Sequence, residues 1–323
     1  MAAILEVRDL KVEFPTRRGT LLAVDGVSFS IAPGEVLGVV GESGAGKSLT
    51  GMAIIGLLEP PGRIAAGEVR LEGRRIDNLP HEEMRRVRGR RIGMVFQDPL
   101  TSLNPLYTIG RQLEETILTH LQVDRAGARR RALAALAEVG IPAPESRFHH
   151  YPHQFSGGMR QRVVIALALA AEPVLVIADE PTTALDVSIQ AQIIALLKRL
   201  SAERGVAVML ITHDMGVIAE TAHRVAVMYA GRIVEIGPVR EVIHSPQHPY
   251  TAGLMGSIPK ISSSSIKTSL VQIDGSMPRL NAIPPGCAFN PRCPQRFARC
   301  LAERPDLLSA GTSRAACWLH AAS

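Results

Sequence analysis

The chain has 323 residues, which is enough for one large domain with an appendage or for two domains. Hydrophobic residues make up 46% of it and support a substantial core, whereas the aromatic share of 4% argues against a nucleic-acid surface built on base stacking. Its formal charge of +6 is small and dispersed. No signal-peptide-like segment and no apolar run of membrane-spanning length occur, so we expect a soluble, cytoplasmic protein that works at a membrane only through a partner.

The first part of the chain combines strand patterns with one Gly-rich segment. Alternating or continuous apolar residues predict strands over 4–14, Val36–Val40, 67–71 and 92–96. Between about 98 and 154 the spacing becomes helical, as in 129–139. The sequence therefore predicts a helical segment that interrupts the strand-containing part of the chain.

Strand and helix patterns then alternate. Each of two predicted strands is followed by a predicted helix: 174–178 by 188–204, and 206–211 by 214–223. Such alternation implies an α/β fold with a parallel sheet covered on both faces by helices. After about residue 245, proline-rich turns, a serine tract (262–265) and the late cysteines predict a linker followed by a small irregular extension.

A phosphate-binding pattern connects the predicted strand Val36–Val40 to helix-compatible sequence. The segment Gly41-Glu42-Ser43-Gly44-Ala45-Gly46-Lys47-Ser48 fits G-x-x-x-x-G-K-[ST]. In this setting glycines let backbone N–H groups surround phosphate oxygens, and the helix N-terminus adds the positive end of its dipole. Lys47 is expected to reach the β- and γ-phosphates, Ser48 to ligate Mg²⁺, and Leu49 to offer its backbone N–H to the α-phosphate. The sequence therefore predicts a site for a nucleoside triphosphate.

A pair of carboxylates follows the apolar run 174–178. Asp179 and Glu180 stand at the carboxyl end of a predicted strand, the edge at which α/β sheets bind their ligands. Asp179 is suited to holding Mg²⁺ through its water shell, and Glu180 to polarising an attacking water as a general base. An acidic turn after a strand is common on its own, but together with the Gly-rich segment it indicates hydrolysis of the bound triphosphate.

The remaining motifs carry a resemblance to ATP-binding cassette (ABC) ATPases. The segment Phe155-Ser156-Gly157-Gly158-Met159-Arg160-Gln161-Arg162 resembles the signature motif of that family, although Phe155 and Met159 replace its commonest residues. Further matches are Gln97 for the Q-loop, Thr183-Ala184-Leu185-Asp186 for the D-loop, Ile211-Thr212-His213-Asp214 for the switch histidine, and Phe14 for the aromatic residue that packs against adenine. These motifs span residues 4 to about 240 in the family's order.

The resemblance implies an ABC-type P-loop NTPase with a RecA-like core, an antiparallel β subdomain and a helical subdomain. We expect the core and β subdomain in residues 1–97 and 155–245, the helical subdomain in 98–154, and a cysteine-containing C-terminal extension in 246–323. In this family two cassettes sandwich two ATP molecules. The signature residues Phe155 to Met159, above all Ser156, Gly157 and Gly158, would then meet the ATP held by the partner.

The same resemblance implies roles for single residues. Glu180, His213 and Gln97 would form the catalytic set, with His213 contacting the γ-phosphate and steadying the attacking water. Gln97 would also sense Mg²⁺, beside the ligands Ser48 and Asp179, and would touch the membrane subunit. Asp186 would communicate across the dimer.

Several longer stretches resemble the ATPase subunits of bacterial dipeptide and oligopeptide importers: 97–105, 151–154, 178–187, 248–251 and 285–294. This resemblance implies an ATP hydrolase at the cytoplasmic side of the inner membrane, peripheral to it, that drives uptake of dipeptides or longer peptides. Its partners would be a second ATPase subunit, expected as a heterodimer, two membrane-spanning permease subunits and, indirectly, an extracytoplasmic peptide-binding protein. Alternatives are nickel chelates or glutathione as cargo. A different class, a soluble ABC ATPase acting on nucleic acid, is disfavoured by the low aromatic content.

All four cysteines, Cys287, Cys293, Cys300 and Cys317, lie in the C-terminal extension. A cytoplasmic location argues against disulfides. Four clustered thiolates can hold Zn²⁺ or a [4Fe–4S] cluster, and the gaps between these cysteines are wider than in common zinc knuckles. Some peptide-importer ATPases with a similar tail bind an iron–sulfur cluster, so we expect [4Fe–4S], with Zn²⁺ or unmetallated buried thiols as alternatives. A bound metal would stabilise a small, proline-rich segment.

Overall fold

The computed structural model describes residues 2–183, 185–257 and 272–321. The predicted serine tract and Ala184 of the D-loop segment lie outside these ranges. Within them the strands are β1 Leu5–Thr16, β2 Gly19–Ile31, β3 Val36–Val40, β4 Arg63–Leu71, β5 Arg74–Arg75, β6 Ile92–Val95, β7 Leu175–Asp179, β8 Ala207–Ile211, β9 Arg224–Tyr229, β10 Arg232–Pro238, β11 Leu308–Ala310 and β12 Ser313–Ala315. The helices are α1 Lys47–Ile54, α2 His81–Val87, α3 Pro99–Ser102, α4 Ile109–His120, α5 Arg125–Glu138, α6 Pro144–Arg147, α7 Gly157–Leu169, α8 Val187–Arg204, α9 Met215–Thr221, α10 Val239–His244, α11 Pro249–Gly256 and α12 Ala298–Ala302.

The larger sheet has the strand order β11-β12-β10-β9-β3-β8-β7-β6. Strands β9, β3, β8, β7 and β6 run parallel, and every residue of β3, β7 and β8 is buried. Strands that are buried on both faces have continuous apolar sequences, which is why the sequence pattern located them. The predicted parallel α/β sheet is therefore confirmed, and the carboxyl ends of β3, β8 and β7 meet at one edge.

A smaller antiparallel sheet has the order β2-β1-β4-β5. Its buried residues, such as Leu5 on β1 and Val24 on β2, belong to the same apolar cluster as Ile54 of α1 and Leu37 of β3. The sheet is thus anchored to one face of the larger sheet and to the helix that follows the Gly-rich segment.

Helices cover the opposite face of the larger sheet. An apolar cluster there joins α4, α5 and α7, for example through Leu113, Leu136 and Ile165. Asp124 begins α5 by accepting a hydrogen bond from the Gly127 N–H at 2.8 Å, as an N-cap residue does. Helices α3 to α6 lie within 98–154, where helical structure is predicted, although the domain limits themselves remain predictions. Among the residues that the structure describes, none of the helices is both long enough and apolar enough to cross a membrane.

The C-terminal extension is more regular than its sequence suggests. Strand β12 pairs with β10, placing Ala315 opposite Glu235, and β11 pairs with β12. The pairing covers an edge of β10 that would otherwise expose unpaired backbone groups. The prediction of an irregular extension was therefore wrong for β11 and β12. Each of these strands has three residues, too few to produce a recognisable apolar pattern.

Candidate functional site

The Gly-rich segment forms a tight loop between β3 and α1, and two of its glycines are required by its geometry. Gly41 has φ +148°, and a Cβ at this position would collide with the carbonyl oxygen of Met228. Gly46, with φ +99°, precedes the first residue of α1 in a left-handed conformation. Residues other than glycine rarely adopt such backbone angles. The loop therefore leads directly from a buried strand into a helix N-terminus, the arrangement that binds phosphate.

Lys47 lies folded over this loop. Its Nζ donates hydrogen bonds to the carbonyl oxygens of Gly41 at 2.8 Å and Glu42 at 3.0 Å. Burial lowers the pKa of the ammonium group, while the charges of Glu180 and Asp179 act in the opposite direction. The positively charged ammonium group of Lys47 thus lies where the predicted phosphates would bind, next to the sheet edge.

Ser48 and Asp179 form a pair of oxygen donors at the same edge. The Ser48 hydroxyl lies 2.9 Å from Asp179 Oδ1 and donates a hydrogen bond to it. Asp179 is buried at the end of β7, and this burial raises the pKa of its carboxyl group against the effect of the Ser48 hydrogen bond. Mg²⁺ commonly takes one or two carboxylates together with substrate phosphates, so this donor pair fits the cation.

Three side chains hold the carboxylate of Glu180. Gln97 Nε2 donates to Oε2 at 3.0 Å, the Thr183 hydroxyl donates to Oε2 at 2.9 Å, and His213 Nδ1 lies 3.2 Å from Oε1. Burial would raise the pKa of Glu180, but the hydrogen bonds from His213 and Thr183 bring it below its ordinary value. Glu180 is therefore an anion at neutral pH, as a general base must be before it accepts a proton.

The position of His213 is fixed by the residue that follows it. Asp214 begins α9 by accepting hydrogen bonds from the N–H groups of Gly216 at 2.8 Å and Val217 at 3.3 Å. Gln190 of α8 donates a further hydrogen bond to Asp214 at 3.1 Å. The His213 side chain remains 66% exposed, against 19% for Glu180, so the site is open on the histidine side.

Other predicted site residues have different surroundings. Phe14 is on β1, where a Cβ on Gly62 would lie 2.6 Å from its ring, and Leu49 packs against the core from α1. Ser156 caps α7 by accepting from the Met159 N–H at 3.4 Å. Asp186 precedes the first residue of α8 and is exposed. The structure thus brings the loop, Asp179, Glu180, Gln97 and His213 together, and places Ser156 of the signature motif and Asp186 of the D-loop at two helix N-termini.

Sequence reasoning missed several contacts of the site. Thr183 binds Glu180 although the D-loop pattern gives it no such role. From the C-terminal extension, Tyr250 Oη accepts a hydrogen bond from the Glu42 N–H at 2.9 Å, and Arg292 Nη1 lies 3.1 Å from Glu42 Oε1. Thr183 could have been suspected from its position next to the acidic pair, but no local pattern links Tyr250 or Arg292 to the loop.

The four cysteines converge on one small cavity of about 10 Å³, which is also bordered by His248 and Trp318. Burial first, and then the neighbouring thiols, raise the pKa of Cys287 to about 11. Within the part of the chain that the structure describes, no group of three or more His, Cys, Asp or Glu side chains is arranged to hold a metal ion. The structure therefore gives no support to the predicted metal centre beyond the convergence of the thiols.

Comparison with known proteins adds two family matches. The ABC transporter family matches residues 24–183, and the oligopeptide/dipeptide transporter C-terminal region matches residues 234–300. The chain is 48% identical to the dipeptide transport ATP-binding protein DppD of Bacillus subtilis, over 99% of this chain and 96% of that protein. The protein belongs to the ABC transporter ATPases. This ABC ATPase is also 47% identical to DppD of Escherichia coli, over 94% of this chain and 93% of that protein. It is 52% identical to the oligopeptide transport protein OppD of Bacillus subtilis over 88% of its chain and 80% of that protein.

Solved structures confirm the fold of this ABC ATPase. A dimeric structure of the ATP-binding cassette MJ0796, in a post-hydrolysis state with ADP and Pi, matches with a TM-score of 0.66 and 30% identity. That match covers 73% of this chain and 99% of the MJ0796 chain. CbiO1 of Clostridium perfringens, from the transporter complex cbiONQ, matches with a TM-score of 0.65 and 29% identity, over 76% of this chain and 92% of its own. The predicted ABC-type P-loop NTPase fold is therefore confirmed.

Proposed function

We propose that this protein is the ATPase subunit of a bacterial ABC importer, which couples ATP binding and hydrolysis to the uptake of dipeptides or oligopeptides. The observation that carries the proposal is the extent of the similarity to DppD, over 99% of this chain and 96% of that protein. An ABC cassette of any kind accounts for the match at 24–183, whereas the match at 234–300 is to a region described for oligopeptide and dipeptide transporters. Peptide cargo is therefore preferred to nickel chelates or glutathione.

In the proposed reaction, the loop amides and Lys47 bind the β- and γ-phosphates of ATP. Mg²⁺ bound by Ser48 and Asp179 would neutralise phosphate charge and hold the phosphates in place. Glu180 accepts a proton from water as the water oxygen bonds to the γ-phosphorus. The bond to the bridging oxygen breaks, and ADP leaves with that electron pair. His213, which lies against Glu180, orients the water and the γ-phosphate, and Gln97 holds the same carboxylate.

A second cassette would complete the site. Ser156 and Gly157 are exposed at the N-terminus of α7, and Asp186 and Val187 are exposed at that of α8. Val187 is 83% exposed, so its apolar side chain is free to contact a partner next to Asp186. The relative MJ0796 is dimeric in its solved structure. We expect the partner to be a second, similar ATPase subunit, in a heterodimer.

The permease subunits would contact the segment that follows Gln97. Leu100 is 62% exposed and Leu106 is 79% exposed. The segment therefore presents two apolar side chains to solvent within ten residues of Gln97, which donates a hydrogen bond to the carboxylate of Glu180. Docking of one of the two membrane-spanning subunits here would connect its movement to Gln97. It would also hold the protein at the cytoplasmic side of the inner membrane.

The proposed function is tested by peptide uptake. Cells that carry either the wild-type protein or its Glu180→Gln variant are given labelled di-, tri- and pentapeptides. Uptake should be lost in the variant, and the lengths affected would identify the preferred cargo. Equal uptake of every peptide by both strains would show that the cargo is not a peptide.

For the C-terminal extension we propose a metal centre held by Cys287, Cys293, Cys300 and Cys317, with a [4Fe–4S] cluster preferred to Zn²⁺. Its support is that all four thiols border one cavity, although they come from separate segments of the extension. Thiols must lose their protons to bind metal. Burial raises the pKa values of Cys287, Cys293 and Cys317, so the metal itself would have to displace the protons of these three thiols. The cavity that the thiols border has room for about one water molecule.

Replacing Cys293 by Ser should remove the metal and destabilise the extension more than the core. Iron and zinc contents of anaerobically purified protein are measured, and unfolding is followed by the fluorescence of Trp318, the chain's single tryptophan, which lies in this extension. Ser309→Ala, on strand β11, is the control and should leave both readouts unchanged. A metal content that is the same in Cys293→Ser, or absent from the wild type, would contradict the proposal.

A further inference from the structure

The C-terminal extension contacts the phosphate loop through an ion pair. Arg292 Nη1 lies 3.1 Å from Oε1 and 3.2 Å from Oε2 of Glu42, the second residue of the loop. The Arg292 side chain is only 8% exposed and that of Glu42 is 27% exposed. This contact joins residues 250 positions apart in the chain, so it depends on how the extension packs against the core.

Arg292 is held rigidly on the side of the extension. Its Nε donates to the carbonyl oxygen of Asp274 at 2.8 Å, and its Nη2 lies 3.3 Å from the carbonyl oxygens of Ile273 and Gly275. All three guanidinium nitrogens therefore make polar contacts: Nε and Nη2 with the extension, and Nη1 with Glu42. A planar, forked group fixed in this way can define the position of the carboxylate that it binds.

A second contact fixes the backbone at the same residue. Tyr250 Oη accepts the hydrogen bond of the Glu42 N–H at 2.9 Å, and Tyr250 is itself buried against Tyr229 and Phe289. The extension thus holds both the amide and the carboxylate of Glu42. The carbonyl oxygen of the same residue accepts a hydrogen bond from Lys47 Nζ at 3.0 Å.

The charge of Glu42 makes this contact relevant to nucleotide binding. A carboxylate on a loop that binds phosphates repels them, and the repulsion is larger at a site with little water. Arg292 offers a positive charge to that carboxylate and holds both of its oxygens in the ion pair. The pairing would therefore reduce the repulsion between the loop and the phosphates that Lys47 faces.

We propose that Arg292 is a positioning residue for ATP binding, which neutralises and orients Glu42 and thereby makes the affinity of the phosphate loop depend on the C-terminal extension. The proposal rests on the proposed function, because it requires that this loop binds the phosphates of ATP. It assigns to the extension an effect on the ATPase site in addition to any structural role.

Steady-state ATP hydrolysis by this chain, purified in complex with its partner ATPase subunit, tests the proposal. Arg292→Met should raise KM for ATP roughly fivefold, the order expected for loss of one partly buried charge pair. The kcat at saturating ATP should change by less than about twofold, since Glu180 and His213 do not contact Arg292. Adding Glu42→Gln to Arg292→Met should return KM most of the way to the wild-type value, because no unpaired carboxylate is then left on the loop.

Arg299→Met is the matched control within the extension. Arg299 stacks on Trp318 at 3.6 Å and pairs with Glu303, so its loss perturbs the extension but not the loop. Its KM should equal that of the wild type. Arg292→Lys retains the charge and should raise KM less than Arg292→Met does, and it serves in its place if the methionine variant does not fold.

The proposal is wrong if KM is unchanged in Arg292→Met, if Glu42→Gln gives no recovery, or if Arg299→Met weakens ATP binding equally. It is also wrong if Arg292→Lys raises KM as much as Arg292→Met does. Wild-type protein that neither binds nor hydrolyses ATP would instead contradict the proposed function itself.

Discussion

A Glu180→Gln variant should hydrolyse ATP at least about 100-fold more slowly than the wild type while still binding it, because general-base catalysis contributes about 10²–10⁴-fold to rates. The amide is nearly the same size as the carboxylate and can still accept hydrogen bonds from Thr183 and Gln97, so the loop and the cluster should remain in place. It cannot take the proton from water, since the amide oxygen is a far weaker base. Phosphate release measures hydrolysis, and retention of labelled ATP by the protein measures binding.

A control variant and a second measurement make this experiment decisive. Glu203→Gln, on the exposed surface of α8, removes a carboxylate that pairs with Arg199 and should leave hydrolysis unchanged. If ATP is trapped, the Glu180→Gln protein should also form a longer-lived dimer in size-exclusion chromatography with ATP than with ADP. Hydrolysis by Glu180→Gln at the wild-type rate would mean that another group serves as the base.

Sequence patterns located the buried strands with good accuracy. The predicted bounds of β3 are those observed. The prediction for β7 is shifted by one residue at both ends, and that for β8 begins one residue early. For β4 the prediction covers only 67–71, whereas the strand begins at Arg63. The missed half is mostly exposed and contains small and polar residues. Burial on both faces produces a pattern in the sequence, and exposure on a sheet edge does not.

The candidate site was predictable where function requires a local pattern of residues. Lys47 and Ser48 follow the glycines of the loop, and Asp179 and Glu180 follow a buried strand, so short segments placed each group. The partners of Glu180 follow three different strands, β6, β7 and β8. Only the resemblance to ABC ATPases indicated that Gln97 and His213 would meet at Glu180. Their distances and the lowered pKa of Glu180 required the structure.

The contact between Arg292 and Glu42 could not be predicted. Arg292 stands in a proline-rich stretch next to Cys293, where the sequence suggested only a possible metal ligand. Its position depends on the pairing of β12 with β10 and on the aromatic packing of Tyr229 and Tyr250, which are long-range effects of the fold. A contact of this kind produces no periodic pattern in the sequence, because the residues next to Arg292 and next to Glu42 need not take part in it.

Replacing Lys47 by Met should weaken ATP binding by about tenfold to a hundredfold, the range expected for loss of hydrogen bonds from a charged group. Methionine has a similar length and no charge, so it should pack over the loop without reaching phosphate oxygens. Lys198→Met is the matched control, since Lys198 lies exposed on α8 and donates a hydrogen bond to the Glu220 carbonyl oxygen, away from the loop. Its affinity for ATP, measured by equilibrium dialysis, should match that of the wild type.

The thermal stability of Lys47→Met separates a functional role of this lysine from a structural one. Burial lowers the pKa of Lys47, which means that its charged form is held at a cost to the folded protein without nucleotide. Removing that charge should therefore leave the melting temperature of the nucleotide-free variant equal to or above the wild-type value. A lower melting temperature would show that the hydrogen bonds to Gly41 and Glu42 stabilise the loop by more than the burial costs. Weaker ATP binding without loss of stability would show that the ammonium group is retained for the phosphates, since the folded chain alone gains nothing from it.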